Sequence, residues 1–123
     1  MNLAAARVFV RDLVVARDFY SQVLGLNLAH DGVQSGYCVF STGSTDLIVE
    51  SVPLDAPQED QDLVGRFTGL SFSVKDVQAQ FRSMSQAGVS FTGSPEKQQW
   101  GGVIATFQDP AGNELQLVQA PVA

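Results

Sequence analysis

Hydrophobic and polar positions along this chain fall into two copies of one pattern. Arg7-Val8-Phe9-Val10-Arg11-Asp12-Leu13 reads as a strand that runs into an aspartate, after which Ala16, Phe19, Tyr20 and Val23 recur at helical spacing up to Gly25. Ser71-Phe72-Ser73-Val74-Lys75-Asp76-Val77 repeats the arrangement, with Val77, Phe81 and Met84 on one helical face and Gly88 closing it. Asp12 and Asp76 stand where a carboxylate accepts from the free amides of a first helical turn, and negative charge there suits the helix dipole. Capping, not catalysis, is their expected role. After each helix the alternation predicts short strands, at 27–31, 36–41 and 46–52 in the first half and at 89–92, 102–108 and 114–119 in the second. Each half therefore reads βαβββ, and the fold class is α+β.

Gly43-Ser44-Thr45 and Asp109-Pro110-Ala111-Gly112-Asn113 supply the turns between the last two strands of each half, since proline presets one turn dihedral while glycine and asparagine accept positive φ. Residues 53–66 carry two prolines and the acids Asp55, Glu59, Asp60 and Asp62 with few apolar residues, which is linker composition. The expected organisation is one domain over 1–123, with module one at 1–52, a linker at 53–66 and module two at 67–123. A module of about 60 residues buries too little apolar surface to stand alone, so the modules must pair.

Composition narrows the function. With 45% hydrophobic residues in 123, the chain can build one real core. No run approaches the roughly 18 apolar residues of a membrane span, and Met1 to Arg7 holds no signal-like core, so a cytoplasmic protein without membrane contact is expected. Thirteen acidic against seven basic residues give a net charge of −6, which opposes binding to phosphate backbones; nucleic acid is not an expected partner. Cys38 is the single cysteine and excludes an intrachain disulfide; between Tyr37 and Val39-Phe40 it reads as a buried structural thiol.

Taken together, "RVFVRDLVVARDFYSQVLGL" at the start and "WGGVIATFQDPAGNELQLVQ" at the end resemble the vicinal oxygen chelate superfamily of glyoxalase I, bleomycin resistance protein and extradiol dioxygenase. The resemblance spans nearly the whole chain. It implies that each module curls its strands into half of a cup, a mixed sheet. Two modules, from one chain or swapped between two, then face each other around a pocket. Members of this length usually dimerise, so a homodimer is expected.

The resemblance also implies where metal ligands would stand: early on the first strand and on the last strand of each module. Ala5 and Gly69 occupy the first-strand positions and have no donor side chain. Glu50 and Gln116 occupy the last-strand positions, a good ligand and a poor one. A catalytic metal needs about three protein ligands, so no metal and no cofactor are expected. His30 lies on a different strand from these positions. Glu114, off the ligand register, is expected to face away from Gln116.

Alternation places Ala5, Arg7 and Phe9 on one face with Ile48 and Glu50, and Gly69, Ser71 and Ser73 with Gln116 and Val118. Small residues at Ala5 and Gly69 leave space that suits a hydrophobic or flat organic ligand. Arg7 and Glu50 either pair with each other or face a charged ligand group. Trp100, between polar residues and Gly101-Gly102, either stacks on a ligand or anchors its loop. The serines lack a matching base and a nucleophile elbow, and Gly101-Gly102 lacks the lysine and helix of a phosphate loop.

The expected function is therefore non-catalytic binding of the bleomycin-resistance type, holding an organic, aromatic or cationic antibiotic-like ligand through Arg7, Phe9, Glu50, Ser71, Trp100 and Gln116. The alternative is a glyoxalase-like lyase or isomerase, or a dioxygenase-related enzyme, with a rebuilt or absent metal site and Glu50 as its catalytic group.

Overall fold

The computed structural model describes residues 1–122. Its strands form two four-stranded mixed sheets, and the chain divides into two compact units: Met1–Arg66 with Pro110–Asn113, and Phe67–Asp109 with Glu114 onward. The α+β class and the two tandem βαβββ modules are as the repeat predicted.

In the first unit β1 (Ala5–Val10) leads through Asp12 into α1 (Leu13–Asp18), which continues as a π-helical turn over Phe19–Val23. Asp12 Oδ1 accepts from the Val15 amide at 3.1 Å, the capping bond its position predicted. The strand ends at Val10, before the cap, and the capped Leu13 is already helical and buries its side chain. β2 (Asn27–Gly32), β3 (Tyr37–Ser41) and β4 (Asp46–Ser51) follow, and the sheet order is β1-β4-β3-β2 with β1 parallel to β4. Val8, Val10, Cys38, Phe40, Leu47 and Val49 alternate onto one face and are buried, as are Ala16 and Tyr20 of the helix. Tyr20 and Phe40 hold ring centroids 5.8 Å apart, and a side chain of Phe40's size contributes about 2–3 kcal/mol when fully buried. The linker is not structureless, since α2 (Gln58–Gln61) forms one turn within it.

The second unit repeats the scheme. β5 (Phe67–Ser73) precedes α3 (Val77–Gln86), whose cap is Asp76, with Oδ1 accepting from Ala79 N at 3.1 Å. β6 (Glu96–Lys97), β7 (Val103–Gln108) and β8 (Glu114–Gln119) complete a sheet of order β5-β8-β7-β6. Its core is Val77 and Met84 against Ala105, Phe107, Leu115 and Leu117.

The strand expected at 89–92 does not form. Phe91 makes only an isolated bridge to Phe107, and the ladder resumes directly after Pro95, so the fourth strand is Glu96–Lys97. A second departure is in β5, whose register against β8 slips between Phe67 and Ser71. Gly69 sits in that bulge with φ of +74°, a conformation that glycine adopts at little cost and residues with a Cβ do not. The small residue at 69 thus has a backbone reason, and simple alternation does not fix its facing.

Candidate binding faces and family membership

One face of each sheet carries the helix, and the other is open. On the open face of the first sheet, register sets side chains in rows across the strands. Phe9, Glu50 and Tyr37 form one row, closed by Gly32; Arg7, Ile48, Val39 and His30 form the next; Ala5, Asp46, Ser41 and Asn27 form the third. The sequence-predicted residues Arg7, Phe9 and Glu50 are therefore brought together. Arg7 Nη1 lies 3.9 Å from Glu50 Oε1, with the two side chains 61% and 36% exposed. A pair that long and that wet contributes little to stability, so Glu50 is open to a ligand.

Tyr37 and His30 also lie on this face, and neither was among the expected binding residues. Tyr37 is two strands across from Phe9 and on its face, which alternation with the buried Cys38 and Phe40 would have revealed. His30 reaches the open face because the register of β2 against β3 shifts between Leu28 and His30, and no sequence rule places that bulge. The His30 and Tyr37 rings lie 5.4 Å apart. On the opposite face of β2, Asp31 holds Arg17 at 3.1 Å and accepts from the Cys38 thiol at 3.8 Å. Burial pushes the Cys38 thiol pKa up, in keeping with a structural, unreactive role.

On the open face of the second sheet Ser71, Gln116 and Thr106 make a polar row. Ser71 Oγ lies 3.4 Å from Gln116 Oε1, and Gln116 Nε2 donates to Thr106 Oγ1 at 3.2 Å. A hollow of ≈ 310 Å³ beside this row is lined by Thr92, Glu96, Gln98, Ile104, Thr106 and Gln116. Thr106 was not expected there. Glu114 was expected to face away from Gln116, but residues two apart on a strand share a face. Buried Leu115 between two half-exposed neighbours places Glu114 on the same side as Gln116.

Trp100 belongs to neither row. It lies in the β6–β7 hairpin, half-exposed, with its ring so close to Gly102 that a Cβ there would meet Cζ3 at 1.9 Å and the Gln119 carbonyl oxygen at 2.6 Å. The indole is seated on bare backbone, which favours the anchoring role. Gly102→Ala is expected to cost about 1–3 kcal/mol by overpacking. A lower urea midpoint, together with a shifted emission of the single tryptophan, would register it; an unchanged midpoint and spectrum would contradict the seating.

The chemistry of these donors does not fit a catalytic metal. Glu50 is the one strong ligand at the four positions implied by the resemblance, and Ala5 and Gly69 offer none. Among the described residues no three histidine, cysteine, aspartate or glutamate side chains converge as a metal site would require.

The comparisons with known proteins agree with the architecture. The chain is 30% identical to the uncharacterised protein YurT of Bacillus subtilis strain 168, over 97% of this chain and 99% of that one. A glyoxalase/bleomycin resistance protein/dioxygenase superfamily member from Sphaerobacter thermophilus superposes with a TM-score of 0.81 at 25% identity, covering 97% of each chain. TnmS3, an antibiotic-binding protein from Streptomyces sp. CB03234, superposes with a TM-score of 0.76 at 28% identity, covering 98% of this chain and 96% of that one. The profile of the Glyoxalase/Bleomycin resistance protein/Dioxygenase superfamily matches residues 2–117, and the chain belongs to that superfamily.

Proposed function

We propose that this protein binds a small organic molecule without transforming it, as a homodimer in the cytoplasm. The observation that carries the reading is a family fold whose open sheet faces keep Phe9, Ile48, Val39 and Tyr37, while the metal-ligand positions hold Ala5, Gly69 and Gln116. Apolar and aromatic surface with a few placed polar groups is what a ligand pocket needs. The 28% identity with an antibiotic-binding protein supports the same reading. A net charge of −6 argues against nucleic acid, and among the described residues no helix is long and apolar enough to cross a membrane.

Glu50, loosely paired and half-exposed, also favours a second reading, a lyase or isomerase that uses this carboxylate as general base. Native mass spectrometry of gently purified protein decides between them. Under the binding reading a dimer retains or takes up an intact organic molecule and releases it unchanged, in the wild type and in Glu50→Gln alike. Conversion of the added molecule, lost in a folded Glu50→Gln variant, would establish the enzyme instead.

A further inference from the structure

We infer that the open face of the first sheet recognises a flat aromatic cation, slotted between Phe9 and Tyr37 with the Glu50 carboxylate as its floor. This rests on the binding reading and names the ligand class for it. The three residues are consecutive in one cross-strand row: Phe9 pairs with Glu50 through the parallel β1–β4 register, and Glu50 with Tyr37 through the antiparallel β4–β3 register. All three lie on the face opposite buried Val8, Val49 and Cys38.

Spacing fits a planar guest. Side chains two strands apart in a row start about 10 Å apart at their Cα atoms. A ring held in van der Waals contact on both faces needs about 7–8 Å between its clamps, which is within reach of two aromatic side chains rooted at that separation. Beyond Tyr37 the row is closed by buried Gly32, where a Cβ would stand 2.4 Å from the Tyr37 carbonyl oxygen and 3.0 Å from His30 Nε2. On its flank Tyr37 is backed by the His30 ring at 5.4 Å.

Charge selects the guest. A carboxylate flanked in its row by two aromatic side chains offers both negative charge and π-surface to a guest, which favours a delocalised cation over a neutral ring. The charged groups sharing this face are Glu50, Asp46 and Arg7. Arg7, at 3.9 Å from Glu50, now holds the place of the guest's charge and must yield it when the guest enters. Its 61% exposure lets it swing away without losing packing. Removing that competitor should therefore improve binding of a cation, an outcome that a merely structural Arg7–Glu50 pair does not produce.

The test uses two probes of nearly the same shape, 9-aminoacridine, cationic at neutral pH, and acridine, neutral there, each titrated by calorimetry into the full-length protein. The cation is expected to bind about tenfold more tightly than the neutral ring. Glu50→Gln should abolish that preference while leaving acridine unchanged, Tyr37→Ala should weaken both probes, and Arg7→Met should tighten the cation alone. Circular dichroism verifies that each variant is folded. Equal binding of the two probes, or a preference that survives Glu50→Gln, would overturn the cation inference and leave the binding reading standing. If neither probe binds, the slot is not a flat-ring site, and the binding reading loses this face as its support.

Discussion

Asn113→Ala is expected to destabilise the protein by about 2–3 kcal/mol, because it removes at once three hydrogen bonds made by one fully buried side chain. Asn113 is fully buried. Its Oδ1 accepts from the amides of Gly65 at 2.8 Å and Arg66 at 3.3 Å, and its Nδ2 donates to the Phe9 carbonyl oxygen at 2.8 Å. One amide thus ties the β7–β8 turn to the end of β1 and to the chain just before β5. The net worth of three such bonds is about 1 kcal/mol each, and because Gly65 and Arg66 are exposed their amides can turn to water, so the loss stays near that sum. Asn113→Asp should be as damaging: it keeps the acceptor but replaces the donor to Phe9 with a second oxygen facing a carbonyl. Chemical denaturation of both variants checks this, and a loss below about 1 kcal/mol for either would mean the bonds are not made.

Phe107→Ala should cost more, about 3–5 kcal/mol, through a different cause. Phe107 is fully buried, with ring centroids 6.5 Å from Phe72 and 5.8 Å from Phe91. Phe91 in turn stands edge-on to Phe81 of α3 at 4.7 Å. Alanine would leave a void among rings that cannot collapse together without moving α3, so both the transfer energy and the cavity term are lost. Phe107→Leu, which fills most of the space, should lose less. A thermal melt of the two variants reads the difference, and equal losses would show that the site relaxes freely.

Much of this was legible in the sequence, for reasons that particular residues make plain. The repeat was readable because Asp12 and Asp76 are genuine caps and because Val8-x-Val10 and Leu115-x-Leu117 alternate cleanly into a core. Arg7, Phe9 and Glu50 were placed on one face by the same alternation. What alternation misreads is any point where the ladder slips. The bulge before His30 rephases β2, and the bulge around Gly69 rephases β5; both depend on cross-strand pairing, which local sequence does not encode. Asn113 was read as a turn residue tolerant of positive φ. Among the described residues no residue other than glycine has positive φ, and the role of Asn113 is long-range hydrogen bonding. Trp100 stayed ambiguous because its seat, the bare backbone of Gly102, is apparent only in three dimensions.

The central claim is that this family member recognises an organic molecule with residues that have ceased to form a catalytic metal centre. Exposing purified protein to Zn²⁺, Ni²⁺, Mn²⁺ and Fe²⁺ in turn, desalting, and measuring retained metal by elemental analysis tests it most directly. The account predicts only traces of each ion, unaffected by Glu50→Gln. Retention near one ion per chain, abolished by Glu50→Gln, would contradict it and return the protein to the metalloenzymes of its superfamily.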